Sequence, residues 1–231
     1  METSLAGKSA LVMGAGGLGA PALLVLAGGG VGRIWLADEG LLETSELTRQ
    51  PLCTEADLGQ RRATAAARQV ARQFPSVQVE VVDPPADGAA ALALARRADV
   101  VVDASGEVAT QFLASDAAVE AGRPLVHGGV LRCAAQLLTV IPGSTGCLRC
   151  LFEAPPPPGS IPGCAEAGVL GPLAGLAGAL MGAEALRLLG GGRGSYAGKL
   201  LVLESRRARW RTVPVAIRPG CPCCGAQRGG R

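Results

Sequence analysis

The chain has 231 residues, a length that suits one large domain or one domain with a small appendage. Hydrophobic residues make up 48% of it, so the core need not be stapled by disulfides. The net charge is only +3 and aromatic residues make up 3% of the chain, whereas a nucleic-acid-binding protein favours a strongly basic face with interleaved aromatics. We therefore expect no nucleic-acid partner.

The N-terminal segment lacks the pattern of a secretory signal. Residues 1–8 are polar, and the apolar run 9–13 is too short for a signal core. We therefore expect a cytoplasmic protein whose eight cysteines stay reduced. The long apolar stretch 168–189 contains Glu184 and Arg187. Because charges inside a membrane are costly, we interpret this stretch as a buried helix and expect no membrane partner.

Short apolar runs alternate with helical patterns in the first half of the chain. This alternation is typical of an α/β fold with a doubly wound, mostly parallel, Rossmann-like sheet. The predicted strands are 9–13, 33–37, 77–82, 99–103 and 124–127, and the predicted helices are 20–27, 60–74, 89–97 and 108–121.

The second half changes character, because its strands are not followed regularly by helices. Its last two strands predict a C-terminal antiparallel extension of the fold. In order, the pattern predicts a strand at 134–142, a Pro-rich loop at 154–163, the helix within 168–189, and strands at 199–203 and 210–217.

A glycine-rich loop follows the first predicted strand and opens the first helix. Small residues let backbone N–H groups approach a phosphate there, and the helix dipole favours the anion. Asp38 ends the second strand, where an acidic side chain can bind ribose hydroxyls. The pattern predicts a nucleotide site, and the alternative is a glycine-rich turn without a ligand. The loop residues concerned are Gly14, Gly16, Gly17, Leu18 and Gly19.

Two Cys-x-x-Cys pairs lie in the second half, and both flank predicted strands. Four thiolates are a tetrahedral ligand set for Zn²⁺, and a closed set leaves no open position, so the predicted zinc is structural. Two redox dithiols or chance clustering are the alternative. The predicted ligands are Cys147, Cys150, Cys221 and Cys224, with Cys223 as a stand-in for Cys224.

Cys164 differs from the remaining cysteines in its position. It follows the Pro-rich loop and precedes the helix that starts near residue 168, where a helix dipole can activate a thiol. A free cysteine is more often a small buried hydrophobe. Cys164 is nevertheless a candidate reactive thiol.

Seven segments, in this order along the chain, resemble the ThiF/MoeB/HesA family of ubiquitin-activating-like adenylyltransferases. The resemblance extends from Leu5 to Gly225. The segments are Gly-Ala-Gly-Gly-Leu-Gly at 14–19, Leu-Ala-Asp at 36–38, Leu-Thr-Arg-Gln at 47–50, Leu-Gly-Gln at 58–60, Cys-Leu-Arg-Cys at 147–150, Cys-Ala-Glu-Ala-Gly-Val at 164–169 and Pro-Gly-Cys-Pro-Cys-Cys-Gly at 219–225.

The resemblance implies an enzyme that uses ATP and Mg²⁺ to adenylate the C-terminal glycine of a small ubiquitin-like sulfur-carrier protein ending in Gly-Gly. The acyl-adenylate then leads to a thiocarboxylate. A single domain of residues 1–231 is expected, with a nucleotide-binding half at 1–130 and a carrier-binding, zinc-containing half at 131–231. Relatives of this kind imply a homodimer or a heterodimer.

The resemblance also implies roles for individual residues. The glycine-rich loop holds ATP, Asp38 holds its ribose, Arg49 contacts phosphate, and Gln50 belongs to the same nucleotide-binding set. Arg62 takes the place of a lysine at the nucleotide and joins Arg49 as a catalytic candidate. Cys164 is the candidate for a covalent intermediate.

Several positions depart from the family pattern. The aspartate that binds magnesium is replaced by Gly106, and Glu107 beside it is the substitute candidate. An asparagine of the nucleotide site is Glu46, and an acidic residue two positions after the ribose-binding aspartate is Gly40. Together with the lysine that is replaced by Arg62, these changes remove or alter groups that neutralise phosphate charge.

Three functions stay open from the sequence. The first is a working adenylyltransferase in which Glu107, Asp103, Arg49 and Arg62 substitute for the missing groups. The second is a degenerate pseudoenzyme that binds a carrier or an active partner subunit without catalysis. The third is a nicotinamide-dependent oxidoreductase, in which the only histidine, His127, would act on the substrate. A histidine at a strand end is more often structural, and the cysteine pairs have no role in the third function.

Overall fold

The structure, a computed structural model, describes residues 4–157, 159–160 and 163–225, without the side chains of residues 164 and 165. The strands are β1 (Ser9–Met13), β2 (Arg33–Ala37), β3 (Gln78–Val82), β4 (Val100–Asp103), β5 (Leu125–Leu131), β6 (Ala134–Val140), β7 (Lys199–Glu204) and β8 (Arg209–Pro214). The α-helices are α1 (Gly19–Gly28), α2 (Arg62–Gln73), α3 (Gly88–Arg97), α4 (Val108–Glu120), α5 (Leu148–Leu151), α6 (Cys164–Ala167) and α7 (Gly171–Leu189). Short 3₁₀ helices span Thr44–Arg49, Glu55–Asp57 and Ser205–Arg207.

These eight strands form a single sheet in the order β3-β2-β1-β4-β5-β6-β7-β8. Strands β1 to β5 pair in parallel, whereas β6, β7 and β8 each pair antiparallel with the strand before them. The strand order reverses between β1 and β4, and such a reversal opens a crevice at the carboxyl ends of the two strands. The glycine-rich loop lies at this crevice.

Helices cover both faces of the sheet, because successive strand residues point to opposite faces. In β1, Ala10 and Val12 join the core that includes residues of α1, α2 and α7. Leu11 and Met13 join the core that includes residues of α3 and α4. The predicted doubly wound α/β class, with its antiparallel C-terminal strands, is confirmed.

The largest difference from the predicted elements is at β5. The predicted strand 124–127 ends at His127, whereas β5 continues through two glycines to Leu131. Gly128 pairs with Leu137 of β6 in the antiparallel hairpin. A Cβ atom at Gly128 would overlap the side chain of Met181 in α7, so the glycine lets the helix approach the strand.

By length and composition, α7 is the one described helix that could cross a membrane. It packs against α1, where a Cβ atom at Gly178 would overlap the backbone before that helix. Its Glu184 is only 3% exposed and accepts hydrogen bonds from Thr139 Oγ1 at 2.9 Å, Ser195 N at 2.9 Å and Tyr196 N at 2.8 Å. These contacts agree with the interpretation of a core helix.

The Glu184→Ala variant should lose about 3 kcal/mol of unfolding free energy, because three donors lose their acceptor. Urea denaturation measures this loss. Glu120→Ala, at an exposed glutamate of α4, is the matched control and should stay within about 0.5 kcal/mol of the parent protein. A loss below about 1 kcal/mol for Glu184→Ala would mean that water replaces the carboxylate at little cost.

Candidate nucleotide site and cysteine cluster

The glycine-rich loop makes a tight turn between β1 and α1. Gly14 has a φ of +99°, and a Cβ atom there would lie 2.5 Å from the carbonyl oxygen of Ala104. At Gly19, a Cβ atom would overlap the backbone of Gly14. Because neither position carries a side chain, the loop can pack directly against the turn after β4.

Four successive N–H groups of this loop are available to a ligand. Within the described part of the chain, the backbone N–H groups of Gly16, Gly17, Leu18 and Gly19 donate no hydrogen bond. Unpaired N–H groups at the start of a helix favour a phosphate. The side chain of Leu18 is buried in the core, so only its backbone can contact a ligand.

Asp38 fixes the loop from the end of β2. Its Oδ2 accepts a hydrogen bond from Ala15 N at 2.7 Å, and its Oδ1 accepts one from Gly40 N at 2.7 Å. The residue is only 7% exposed. The carboxylate predicted to hold ribose therefore lies directly against the glycine-rich loop.

Arg49 and Gln50 reach the same loop from the end of the 3₁₀ helix Thr44–Arg49. A Cβ atom at Gly17 would lie 3.0 Å from Cδ of Arg49, so the arginine stem packs on the loop. Gln50 donates from Nε2 to the carbonyl oxygen of Ala15 at 2.9 Å. Its Oε1 is buried, and no described residue donates to it.

Arg62 is the first residue of α2, and its guanidinium lies between two carboxylates. Nη2 lies 3.0 Å and 3.2 Å from the two oxygens of Asp38, and Nη1 lies 2.7 Å from Oε1 of Glu46. Burial opposes the charge, but the two carboxylates raise the pKa of Arg62 above its ordinary value. The structure thus brings together the predicted residues of the nucleotide-binding half: the glycine-rich loop, Asp38, Arg49, Gln50 and Arg62.

Asp103 and His127 form a buried pair at the ends of β4 and β5, with Nδ1 of His127 2.7 Å from Oδ2 of Asp103. The other oxygen of Asp103 accepts hydrogen bonds from Ser105 N at 3.1 Å and from Ser105 Oγ at 2.6 Å. Asp103, expected as a substitute catalytic group, is therefore fully engaged and shielded from solvent. His127 has a structural partner and is only 1% exposed, which does not suit the proton transfer that an oxidoreductase needs.

Glu107 lies in the exposed turn between β4 and α4. Its Oε2 accepts a hydrogen bond from Thr110 Oγ1 at 3.1 Å, and the carboxylate makes no other hydrogen bond among the described residues. Neighbouring Gly106 is exposed, and a Cβ atom there would meet no described atom within 4 Å. The position of the missing aspartate therefore has room for a side chain.

The four predicted metal-ligand cysteines form a compact cluster. Their Sγ atoms all lie within 4.8 Å of one another, with Cys147 3.6 Å from Cys221 and Cys150 3.3 Å from Cys224. Four sulfurs around one Zn²⁺ would be about 3.8 Å apart, given the usual Zn–S bond length. The geometry favours Cys224 over Cys223 as the fourth ligand, and the cluster fits a tetrahedral metal ion.

The environment of the cluster also suits a cation. Burial raises the pKa of the Cys150 and Cys224 thiols above their ordinary value. Burial acts in the same direction on Cys221, but backbone hydrogen bonds from Cys224 and Cys223 lower its pKa to about 6. Thiolates gathered this closely repel one another, and a divalent ion stabilises all four.

Cys53 and Cys164 are not among the four cysteines of the described cluster. Cys53 is buried, and desolvation raises the pKa of its thiol to about 11, so it is a poor nucleophile. Cys164 begins the short helix α6, and its side chain lies outside what the structure describes. Its predicted reactivity stays a prediction.

Glu46 is the site residue whose contacts the sequence pattern did not reveal. The sequence analysis identified Glu46 only as a residue that differs from the family asparagine. In the structure its carboxylate lies between Arg62 and Arg49. A signal was present in the polar segment: Glu43 and Glu46 have the spacing of a capping box, which places Glu46 in the first turn of a helix.

Taken together, the fold and this site define a nucleotide-binding α/β protein with a four-cysteine cluster. The model of the ThiF family matches residues 3–223, so the chain belongs to the ThiF family. The resemblance inferred from the motifs is thereby confirmed.

Two curated relatives and one solved structure illustrate this membership. A sulfur carrier protein adenylyltransferase from Thermus thermophilus is 42% identical over 222 residues, which cover 94% of this chain and 82% of the relative. The adenylyltransferase and sulfurtransferase MOCS3 of Sus scrofa is 40% identical over 225 residues, but these cover 97% of this chain and only 50% of that protein. The microcin C7 biosynthetic enzyme MccB, in complex with N-formylated MccA, shares the fold with a TM-score of 0.84 at 22% identity, covering 96% of this chain and 68% of that one.

Replacement of one cluster cysteine should release the metal. We expect Cys150→Ser to lose its bound divalent ion and to lower the melting temperature by about 10 °C, since the tail is no longer pinned to α5. Metal analysis and thermal scans with and without a chelator measure both effects. Cys133→Ser, at a partly exposed cysteine outside the cluster, should keep both values. Unchanged metal content in Cys150→Ser would contradict the assignment.

Proposed function

We propose that this chain is an adenylyltransferase that uses Mg-ATP to adenylate the C-terminal glycine of a small ubiquitin-like sulfur carrier ending in Gly-Gly. One observation carries the proposal: four N–H groups of the glycine-rich loop, which donate to no described residue, lie beside Asp38, Arg49 and Arg62. The similarity to a sulfur carrier protein adenylyltransferase bears out the predicted class of function.

Two buried atoms fit a nucleotide at this place. Oε1 of Gln50 lacks a donor and Nε of Arg62 lacks an acceptor among the described residues. Ribose hydroxyls both donate and accept, and phosphate oxygens accept. ATP therefore offers hydrogen-bond partners of both kinds, whereas a purely apolar ligand offers neither.

The proposed reaction is an in-line displacement at the α-phosphorus of ATP. A carboxylate oxygen of the carrier attacks, a new P–O bond forms, and the bond to the β-phosphate breaks, so that pyrophosphate leaves with the electron pair. The N–H groups of the loop hold the phosphates, and Arg49 and Arg62 place positive charge beside them. Asp38 orients the ribose and so aligns the α-phosphorus with the carrier tail.

We propose Mg²⁺ and structural Zn²⁺ as the two metal ions. Zn²⁺ would be held by the cysteine cluster, whose four thiolates leave no open position for catalysis. Magnesium would neutralise phosphate charge, with the exposed Glu107 as its protein ligand. Cys164 stays a candidate for a covalent step after adenylation.

The family resemblance also suggests a domain organisation, an oligomeric state and a location for the protein. We expect one domain, with the nucleotide half at 1–130 and the carrier-binding, zinc-containing half at 131–231. A homodimer or heterodimer in the cytoplasm is proposed.

A second candidate function is a pseudoenzyme that holds a carrier or a partner subunit. It is favoured by the balance of charge at the site, where Arg49 and Arg62 face Asp38 and Glu46 and bring no excess positive charge. The lack of a carboxylate at Gly106 favours it as well.

ATP–pyrophosphate exchange separates the two functions. With magnesium and a panel of small carriers ending in Gly-Gly, an adenylyltransferase exchanges labelled pyrophosphate into ATP only when its carrier is present. A carrier truncated by its final glycine is the matched control, because it cannot present the reacting carboxylate in place. Silence with every carrier, together with calorimetric binding of a carrier, would establish the pseudoenzyme.

The magnesium proposal predicts opposite effects at adjacent positions. Glu107→Ala should lower magnesium-dependent exchange by about tenfold, because a charge-neutralising contact is lost. Gly106→Asp should raise it, since the position has room for a carboxylate, whereas Gly106→Ala adds only a methyl group and should give no gain. Exchange rates across a magnesium titration measure both effects. Full activity in Glu107→Ala would exclude Glu107 as the ligand.

A further inference from the structure

One carboxylate holds both arginines of the candidate nucleotide site. Oε1 of Glu46 lies 2.7 Å from Nη1 of Arg62 and 3.7 Å from Nη2 of Arg49. Its Oε2 accepts a hydrogen bond from the backbone N–H of Glu43 at 3.2 Å, and its side chain is only 9% exposed. Glu46 is thus itself anchored, and it can fix the position of the guanidinium groups.

Gly40 supplies the space that Arg62 fills. A Cβ atom at Gly40 would lie 2.5 Å from Cζ of Arg62, which is closer than such atoms can approach. The backbone N–H of Arg62 donates to the carbonyl oxygen of Gly40 at 2.9 Å, so the two residues stay adjacent. Any side chain at this position would push the guanidinium away from Asp38.

Gly40, Glu46 and Arg62 fit one another in shape and charge. The missing side chain at Gly40 leaves room beside Asp38 for a broad planar guanidinium, and the carboxylate of Glu46 gives its fork of donors a second acceptor.

One N–H group of the Arg62 guanidinium has no hydrogen-bond acceptor among the described residues. Nε of Arg62 is buried, and no described residue accepts its hydrogen. An unpaired donor on a buried charged group is costly, so it needs an acceptor. The same guanidinium contacts Asp38, which lies beside the loop N–H groups that donate to no described residue.

We infer that Glu46 is a positioning residue for the nucleotide: it holds Arg62 beside Asp38, in the space left by Gly40, so that the guanidinium donates to an oxygen of bound ATP. This inference rests on the proposed function, because it requires a nucleotide at Asp38. Arg62 contacts the ligand, and Glu46 acts through Arg62.

A charge-removing pair of variants tests the role of Glu46. Glu46→Gln keeps the size of the side chain and should weaken Mg-ATP binding by about tenfold in calorimetry. In steady-state exchange, KM for ATP should rise about as much, while kcat changes less than about threefold. Glu39→Gln removes a charge from an exposed neighbour and should change neither. Unchanged or tighter binding in Glu46→Gln overturns the inference, since the carboxylate would then only oppose the phosphates.

A double-mutant cycle tests the fit of Arg62 to Gly40. In the parent protein, Gly40→Ala should weaken Mg-ATP binding by about tenfold, because the guanidinium is displaced. In an Arg62→Lys background, the same change should cost less than about threefold, since a slender lysine leaves room for the methyl group. Equal losses in both backgrounds would show that the positions act independently and would overturn the inference.

The cycle also separates this inference from the proposed function. If the parent protein binds no Mg-ATP, the proposed function and the nucleotide contact of Arg62 fail together, and urea denaturation then tests whether Gly40 and Glu46 position Arg62. Gly40→Ala should destabilise the parent protein by disrupting the Arg62 ion pairs and should destabilise Arg62→Lys less. Additive effects in that measurement would overturn the inference as well.

Discussion

The buried carboxylate of Asp38 joins three segments that are distant in the sequence. It accepts hydrogen bonds from the loop at Ala15 and from the backbone at Gly40, and it pairs with Arg62 at the start of α2. A buried carboxylate without such partners would be costly, so its satisfaction fixes the path of all three segments. The carboxylate that shapes the site is also the one proposed to hold ribose, so the fold of this region and the proposed binding depend on the same atoms.

The candidate nucleotide site and the cysteine cluster lie in different parts of the fold. The glycine-rich loop, Asp38 and the two arginines meet at the crevice at the carboxyl ends of β1 and β4. The cysteine cluster belongs to the core on the face of α3 and α4, where it ties the tail after β8 to α5. A metal ion held by these four cysteines would therefore support the C-terminal strands, away from the residues proposed to bind the nucleotide.

Several parts of this fold and site could be predicted from short sequence patterns, because those patterns reflect interactions between residues that are near one another in the chain. The bounds of β1 and β2, the glycine-rich loop and the four cysteines follow from apolar runs and from spacing. The continuation of β5 through Gly128 does not, because it depends on the packing of Met181 from a distant helix. The contact of Glu46 with Arg62 and the pairing of Asp103 with His127 join residues that are separated by 16 and 24 positions, and no local pattern encodes such contacts.

The most direct test of the central claim is a crystal structure of the chain with magnesium and a non-hydrolysable ATP analogue. The account predicts phosphates on the N–H groups of residues 16–19 and ribose hydroxyls within hydrogen-bond distance of Asp38. Arg62 should remain paired with Glu46 while its Nε donates to the nucleotide. A nucleotide bound elsewhere, or an Arg62 that leaves Glu46 on binding, would contradict the account.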